Sequence, residues 1–207
     1  MSISQPGLIH LPPPSKKGSM SLEEAIARRR SVRRFTSESI SQLLLSQLLY
    51  AAGGLRDTSS RYRTVPSAGA TYPLEIFVVC GQNSIEEVDA GIYHYDIGSH
   101  SLSRHQKGDA RFELAKAALD QMFIYQAPVD IVICAEYERT LGRYGRRGER
   151  YVHMEVGHAG QNIYLQTTAL GLATVAVGAF DDEEVREVLR LSERYKPLYI
   201  MPVGKPA

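Results

Sequence analysis

GIYHYDIGSHSLSRH, residues 91–105, sets the class of the fold. Residues alternate from Gly91 to Asp96, a turn is signalled around Gly98-Ser99, and a second alternating run follows, which is the pattern of a β-hairpin. Working outward, LEIFVVC (74–80) is a continuous apolar run, as for a strand covered on both faces. After the hairpin, DARFELAKAALDQ (109–121) reads as an amphipathic helix capped by Asp109, and VDIVICAE (129–136), with Pro128 before it, as another buried strand. ERYVHMEVGHAGQNIYLQTTALGL (149–172) is the longest helical pattern. A strand at ATVAVG (173–178), a short helix at DDEEVREVLRL (181–191) with acids in its first turn, and a last strand at YIMPVG (199–204) complete this half.

Toward the N-terminus, SLEEAIARRR (21–30) opens on a capping box, Ser21 with Glu24 three residues on. ISQLLLSQLLYAAGG (40–54) is a second helix, with an apolar stripe of Leu43, Leu44, Leu48, Ala51 and Leu55 and a Gly53-Gly54 stop. Residues 56–73 make a loop too long for an ordinary connection, and such loops tend to be functional. Residues 1–19 read as an extended Pro-rich arm, with Pro12, Pro13 and Pro14 followed by a solvated Lys16-Lys17-Gly18 link. Helices and strands alternate irregularly around one clear hairpin. That predicts an α+β fold, with a central mixed or antiparallel sheet flanked by helices, in one domain over 20–207.

Composition excludes several classes. Of 207 residues, 43% are hydrophobic, and 24 Lys and Arg balance 23 Asp and Glu for a net charge of +1. A disordered chain would carry less apolar material or more net charge. No stretch is long and apolar enough to span a membrane, and the balanced charge argues against a dedicated nucleic-acid binder. Cys80 and Cys134, the only cysteines, lie inside apolar runs and read as buried core residues rather than a disulfide framework. The N-terminus lacks the apolar region of a signal peptide, so a reducing cytoplasmic setting is expected.

Four stretches carry candidate chemistry. RRRSVRRF brings Arg28, Arg29, Arg30, Arg33 and Arg34 around Ser31 at a helix end. Guanidinium forks match phosphate oxygens and a hydroxyl adds a donor, although a solvated basic helix end is common too. PSAGATYP (66–73) offers Ser67 as a donor and small residues that let backbone approach a flat ligand, unless it is a plain turn. GHAGQN leaves a shallow helix face at Gly157, Ala159 and Gly160 for another helix. RTLGRYGRRGERY (139–151), with five arginines and three glycines, reads as a flexible, solvated basic loop. His153 and His158 are five residues apart and lie on different sides of a helix, so they lack zinc-motif spacing, and no metal site is expected. There is no dinucleotide or P-loop fingerprint, no nucleophile elbow and no Cys-x-x-Cys. The residues thus point to a domain that binds a phosphorylated planar ligand.

LPPP, SLEEAIARRRSVRRF, PSAGATYPLEIFVV, GIYHYD followed by HSL, GHAGQN, ALGLATVAVGAFDD and PVGKP occur in this order across nearly the whole chain. In them the chain resembles the nitroreductase superfamily of FMN-dependent oxidoreductases, and within it the SagB-type dehydrogenases, which include peptide azoline oxidases. The resemblance implies a three-layer fold and an intertwined homodimer with an FMN at each of two sites built from both subunits. It implies that Arg29, Arg30, Ser31 and Arg33 take the phosphate and ribityl side, with Lys205 as a further phosphate cation. Pro66, Ser67, Ala68 and Gly69 would come from the other subunit against the ring. Gln121 would contact the pyrimidine edge, and Val177 and Gly178 would run beside the ring with a backbone N–H toward N5. NAD(P)H is the implied co-substrate, with a small molecule or a modified peptide as the other.

Two departures stand out. Where azoline-oxidising members have a Lys-Tyr pair assisting proton removal, the match here is Arg143-Tyr144, and arginine stays protonated. Tyr144 remains the candidate proton donor. The sequence runs three residues past Gly204, so no C-terminal extension wrapping a partner subunit is expected. Two other readings compete with the enzyme. A non-catalytic flavin- or peptide-binding module would hold flavin that no substrate reduces, and a nucleic-acid binder would show salt-sensitive binding and no chromophore.

Overall fold

The computed structural model describes residues 8–57 and 61–207, so Thr58, Ser59 and Ser60 of the long loop and the first seven residues of the arm lie outside it. Seven strands form one sheet, all of whose ladders are antiparallel. In chain order they are β1 (Leu8–His10), β2 (Leu74–Cys80), β3 (Gly91–Asp96), β4 (Ser101–Lys107), β5 (Val129–Glu136), β6 (Ala173–Thr174) and β7 (Tyr195–Gly204). The sheet order is β1-β4-β3-β2-β5-β7-β6. The helices are α1 (Leu22–Arg28), α2 (Gln42–Gly53), α3 (Arg111–Ala117), α4 (Phe123–Gln126), α5 (Glu138–Tyr144), α6 (Arg147–Ala169) and α7 (Asp182–Val188).

The period-2 rule divides β2 and β5 between two cores. Ile76, Val78, Ile131 and Ile133 face α2 and α6, packing with Leu45, Leu48, Leu49, Val156 and Ile163. Phe77, Val79, Val132 and Cys134 face α3, α4 and α7, packing with Leu114, Ile124, Val185 and Leu189. Helix, sheet and helix therefore stack as three layers, the expected α+β architecture. Both cysteines are buried free thiols, and burial pushes that of Cys80 up to about 12.

Several local expectations need correction. The α2 stripe is Leu45, Leu48, Leu49 and Ala52, while Leu43 is exposed. The cap at Ser41, whose hydroxyl accepts from Leu44 N–H, sets the helix one step later in phase. At α3 the cap position is Ala110, and Asp109 instead accepts from Arg111 N–H and pairs with its guanidinium. Ser21 caps α1 as expected, but Glu24 turns forward to Arg28 rather than back to the cap. The strand at 173–178 keeps only Ala173 and Thr174 in the ladder, with Val177 bridging to Ile200. Residues 8–12 of the arm are fastened to the sheet. Leu8, Ile9 and His10 pair with β4, Leu11 is buried, and the Pro12 carbonyl accepts from Ser46 Oγ.

The segment 139–151 is not a loop but the α5–α6 corner. The break falls at Gly145, whose φ of +56° suits glycine, and Gly148 is tightly packed, an added Cβ lying 3.1 Å from the Thr140 and Leu141 backbone. Gly160 does give a shallow face, but the Tyr199 ring of β7 fills it, 3.2 Å from where a Cβ would sit. Gly157 is exposed.

Candidate functional site

Residues after α1 run extended, so their side chains alternate. Arg29 and Arg33 carry rings beneath them, Arg29 over Tyr164 at 5.1 Å and Arg33 over Phe123 at 5.8 Å. Arg28 and Arg30 line a different cleft of about 350 Å³ with Thr167, Thr168, Thr174 and Pro206. The structure thus brings Arg29 and Ser31 together at Tyr164, sets Arg33 over Phe123, and places Arg30 in a separate cleft. Among the described residues, none of Arg29, Arg30 and Arg33 pairs with a carboxylate, whereas Arg104, Arg111, Arg139 and Arg186 all do.

Tyr164 is the hub that sequence reasoning missed. Its hydroxyl accepts from Ala176 N–H at 2.8 Å and lies 2.9 Å from Ser31 Oγ. Donating its proton to Ser31 leaves the exposed Ser31 hydroxyl its own proton for a ligand. Two residues past Ala176, Gly178 is exposed, and its N–H donates to nothing among the described residues, while Val177 N–H is engaged by Ile200 O at 2.9 Å. Gln121 reaches the same segment, its Nε2 donating to Ala179 O at 2.8 Å and to Ala118 O. That amide's donors are therefore directed at backbone. Lys205 flanks the group through its carbonyl, which accepts from Thr36 N–H, while its ammonium ion-pairs with Glu38.

Pro66, Ser67, Ala68 and Gly69 sit elsewhere. Their loop packs on α5 and the first half of α6. Arg143 donates to Gly69 O at 2.9 Å, Thr71 and Thr140 share a hydroxyl hydrogen bond, and the buried Glu155 of α6 lies near Ser67. The Tyr144 hydroxyl lies 2.5 Å from where a Cβ on Gly69 would stand. From Glu155 to Tyr164 is nine residues of one helix, about 14 Å along its axis. Within one chain the loop and the arginine group are thus set apart from each other. Glu75 adds an ion-pair chain behind the loop, contacting His94 at 2.7 Å and Arg139 at 2.6 Å, and these partners hold its carboxyl below its usual range despite burial.

The loop is strained. Gly69, Ala70 and Tyr72 have φ of +59°, +52° and +48°, a region costly for side-chain-bearing residues. Replacing Ala70 by glycine is expected to stabilise the protein by about 1 kcal/mol, roughly 2–4 °C in Tm, measured by thermal unfolding.

Among the described residues, no group of three His, Cys, Asp or Glu side chains could hold a metal, and no helix is long and apolar enough to cross a membrane. The sequence model of the nitroreductase family matches residues 26–205. A provisionally named nitroreductase of Methanocaldococcus jannaschii is 50% identical over 184 residues, covering 89% of this chain and 90% of that one. The microcin B17-processing protein of Escherichia coli is 28% identical over 174 residues, 77% of this chain, which spans only 60% of that protein's length. Among solved structures, a provisionally named nitroreductase of Ralstonia eutropha superposes with a TM-score of 0.85 at 26% identity, over 100% of this chain and 92% of that one. A chain of the Escherichia coli microcin synthetase complex, solved with a truncated precursor bound, gives 0.75 at 25% identity, over 100% of this chain and 78% of that chain.

Proposed function

This chain belongs to the nitroreductase family, and from that premise we propose that it is an FMN-dependent oxidoreductase. In this reading it moves hydride between NAD(P)H or an organic substrate and an acceptor, and it acts as a homodimer whose FMN-binding domain is residues 20–207. The observation that carries the reading is the presence together of Arg29 and Arg33, neither paired with a carboxylate among the described residues, the exposed Ser31 hydroxyl, and the Gly178 N–H, which has no acceptor among the described residues. A donor set this cationic, beside an exposed backbone N–H, fits an anionic group attached to a polar flat ring.

FMN, when bound, supplies the hydride-accepting and hydride-donating centre. Arg29 and Arg33 would hold the phosphate, Ser31 would donate to the same side, and Val177 and Gly178 would present backbone to the ring. Lys205 would join the phosphate by exchanging Glu38 for it. Gln121 would accept through its carbonyl oxygen, since its amide donors are directed to Ala118 and Ala179. Arg30 would contribute backbone rather than its guanidinium. Pro66, Ser67, Ala68 and Gly69 would complete the site of a second copy, which the half-site separation along α6 supports.

Tyr144 would travel with that loop and be the proton donor, as its hydroxyl abuts Gly69. Arg143, clamped on Gly69 O, would hold the loop and not act as a base. Tyr144→Phe is expected to leave flavin content unchanged while lowering turnover at least about tenfold, read by steady-state kinetics. The microcin-processing relatives support a modified peptide as one substrate class beside small molecules, the branch to which the Arg143-Tyr144 pair is the partial match.

The test is anaerobic. Protein loaded with FMN is expected to bleach on adding NADH or NADPH and to recover its colour with a quinone or nitroaromatic acceptor. Bound flavin that neither nicotinamide nor any organic substrate reduces would favour a non-catalytic binding module.

A further inference from the structure

Arg146, Arg147 and Arg150, at the corner where α5 turns into α6, take no part in that assignment. All three are exposed, and none forms an ion pair or a side-chain hydrogen bond among the described residues. They line a cleft of about 650 Å³ with His153 and Met154. Glu149 is the one carboxylate of that lining, and it also borders the next groove, beside Glu138 and Glu193.

Nothing local favours three cations here. Arg146 is the N-cap residue of the 23-residue α6 and Arg147 its first residue, at the end where the peptide dipoles disfavour positive charge. Arg150 follows Arg147 by three residues and Arg146 by four, so the three side chains are neighbours on the helix and repel one another. Elsewhere the chain pairs guanidiniums with carboxylates, as at Arg111 and Arg139. Natural proteins break such local rules mainly at functional sites. Arginines gathered against the local electrostatics and left without carboxylates are arranged for an anion supplied from outside, and their forks match phosphate oxygens bidentately.

The place of the cleft points to which anion. Tyr151, one turn on from Arg147, meets the Tyr144 ring edge-on at 5.1 Å, and the Tyr144 hydroxyl abuts Gly69. Arg147 and Tyr151 are about 6 Å apart along the helix axis, so the arginines stand beside the group proposed to close over the flavin. A nicotinamide dinucleotide carries its reactive ring and its adenosine at opposite ends. With the ring on the flavin, a cationic cleft beside the site meets the adenosine end. Met154, 52% exposed, offers apolar surface to the adenine. NADPH differs from NADH there by a single phosphate on the adenosine ribose, which guanidiniums distinguish and a neutral surface does not.

We propose that Arg146, Arg147 and Arg150 form the subsite for the adenosine 2′-phosphate of NADPH and make this chain select NADPH over NADH. The inference rests on the flavin reading, with a nicotinamide as reductant.

The test follows anaerobic bleaching of the FMN-loaded protein against NADPH and NADH concentration, for wild type and for the double variant Arg147→Gln, Arg150→Gln. Flavin content and circular dichroism confirm that the variant is folded and loaded. Wild type is expected to favour NADPH by at least about tenfold, the size of one hydrogen bond to a charged group. The double variant should lose that preference through weaker NADPH binding, with the limiting rate of bleaching retained, the signature of lost ground-state binding. Adenosine 2′,5′-bisphosphate should likewise inhibit wild type at least about tenfold more strongly than AMP, and the variant about equally with it. Equal use of the two nicotinamides by wild type, or a preference that survives in the variant, overturns the inference and leaves the flavin reading intact. Loss of turnover on an acidic acceptor with the nicotinamide preference unchanged also overturns it and gives the cleft to that acceptor. Bound FMN that neither nicotinamide bleaches overturns the nicotinamide premise and the inference with it. No FMN binding by wild type overturns the flavin reading itself.

Discussion

Replacing Arg29 and Arg33 together by alanine is expected to weaken FMN binding by at least about a hundredfold while leaving the fold intact. Each guanidinium is at or near the surface, packed on one ring, and free of any carboxylate among the described residues. Its removal therefore strands no buried partner. Hydrogen bonds to a charged group contribute about 1.5–3 kcal/mol each, so two such losses that add amount to about two to four decades in affinity. Isothermal titration of apoprotein with FMN measures this, and the same titration on Arg30→Ala serves as a comparison. Because the Arg30 side chain lines the other cleft, its loss should cost less than tenfold. A loss for Arg30→Ala as large as that of the double variant would place the phosphate in the Arg28–Arg30 cleft instead.

Asp130→Val is expected to stabilise the protein by about 2–4 kcal/mol at pH 7, roughly 5–10 °C in Tm. Asp130 on β5 is wholly buried, and neither carboxyl oxygen has a hydrogen-bond partner among the described residues. Burial raises its carboxyl well above the usual range, only partly opposed by Arg111. The native state thus binds this proton more tightly than the unfolded chain does. The native contribution is greatest below the unfolded value of about 4 and is lost as pH rises toward the folded value. The gain from Asp130→Val should accordingly shrink as pH is lowered toward 4. Arg111 keeps Asp109 at 2.7 Å, so the substitution leaves no guanidinium unpaired. A Tm at pH 7 equal to or below wild type would show that Asp130 has a partner supplied from outside the chain.

The sheet was the most legible part of the sequence because its signals are local. A hairpin with a turn at Gly98-Ser99 and two apolar runs bounded by Pro and Gly leave few alternatives. The α5–α6 corner was not legible, because five arginines and three glycines resemble a solvated loop. Its helices need apolar contact on one side only, and Gly145 and Gly148 serve as a left-handed break and a close approach rather than as flexible joints. In the site, the arginine cluster and the small-residue loop could be marked from residue types alone. That alternation along an extended segment would put Arg30 opposite Arg29 and Arg33 depended on where α1 stops. Tyr164 was hidden because an aromatic at helical spacing looks like core. Only its contacts with Ser31 and Ala176 reveal it as the joint between the two strands of the site.

Whether this chain holds FMN can be measured directly. The most direct measurement is the visible absorption spectrum of the purified protein, saturated with FMN and freed of excess by gel filtration, then of the supernatant after denaturation. Flavin bands near one equivalent per chain that pass into the supernatant are expected. A colourless protein that retains no FMN would contradict the flavin reading, and Arg29, Ser31 and Arg33 would then require a different anion.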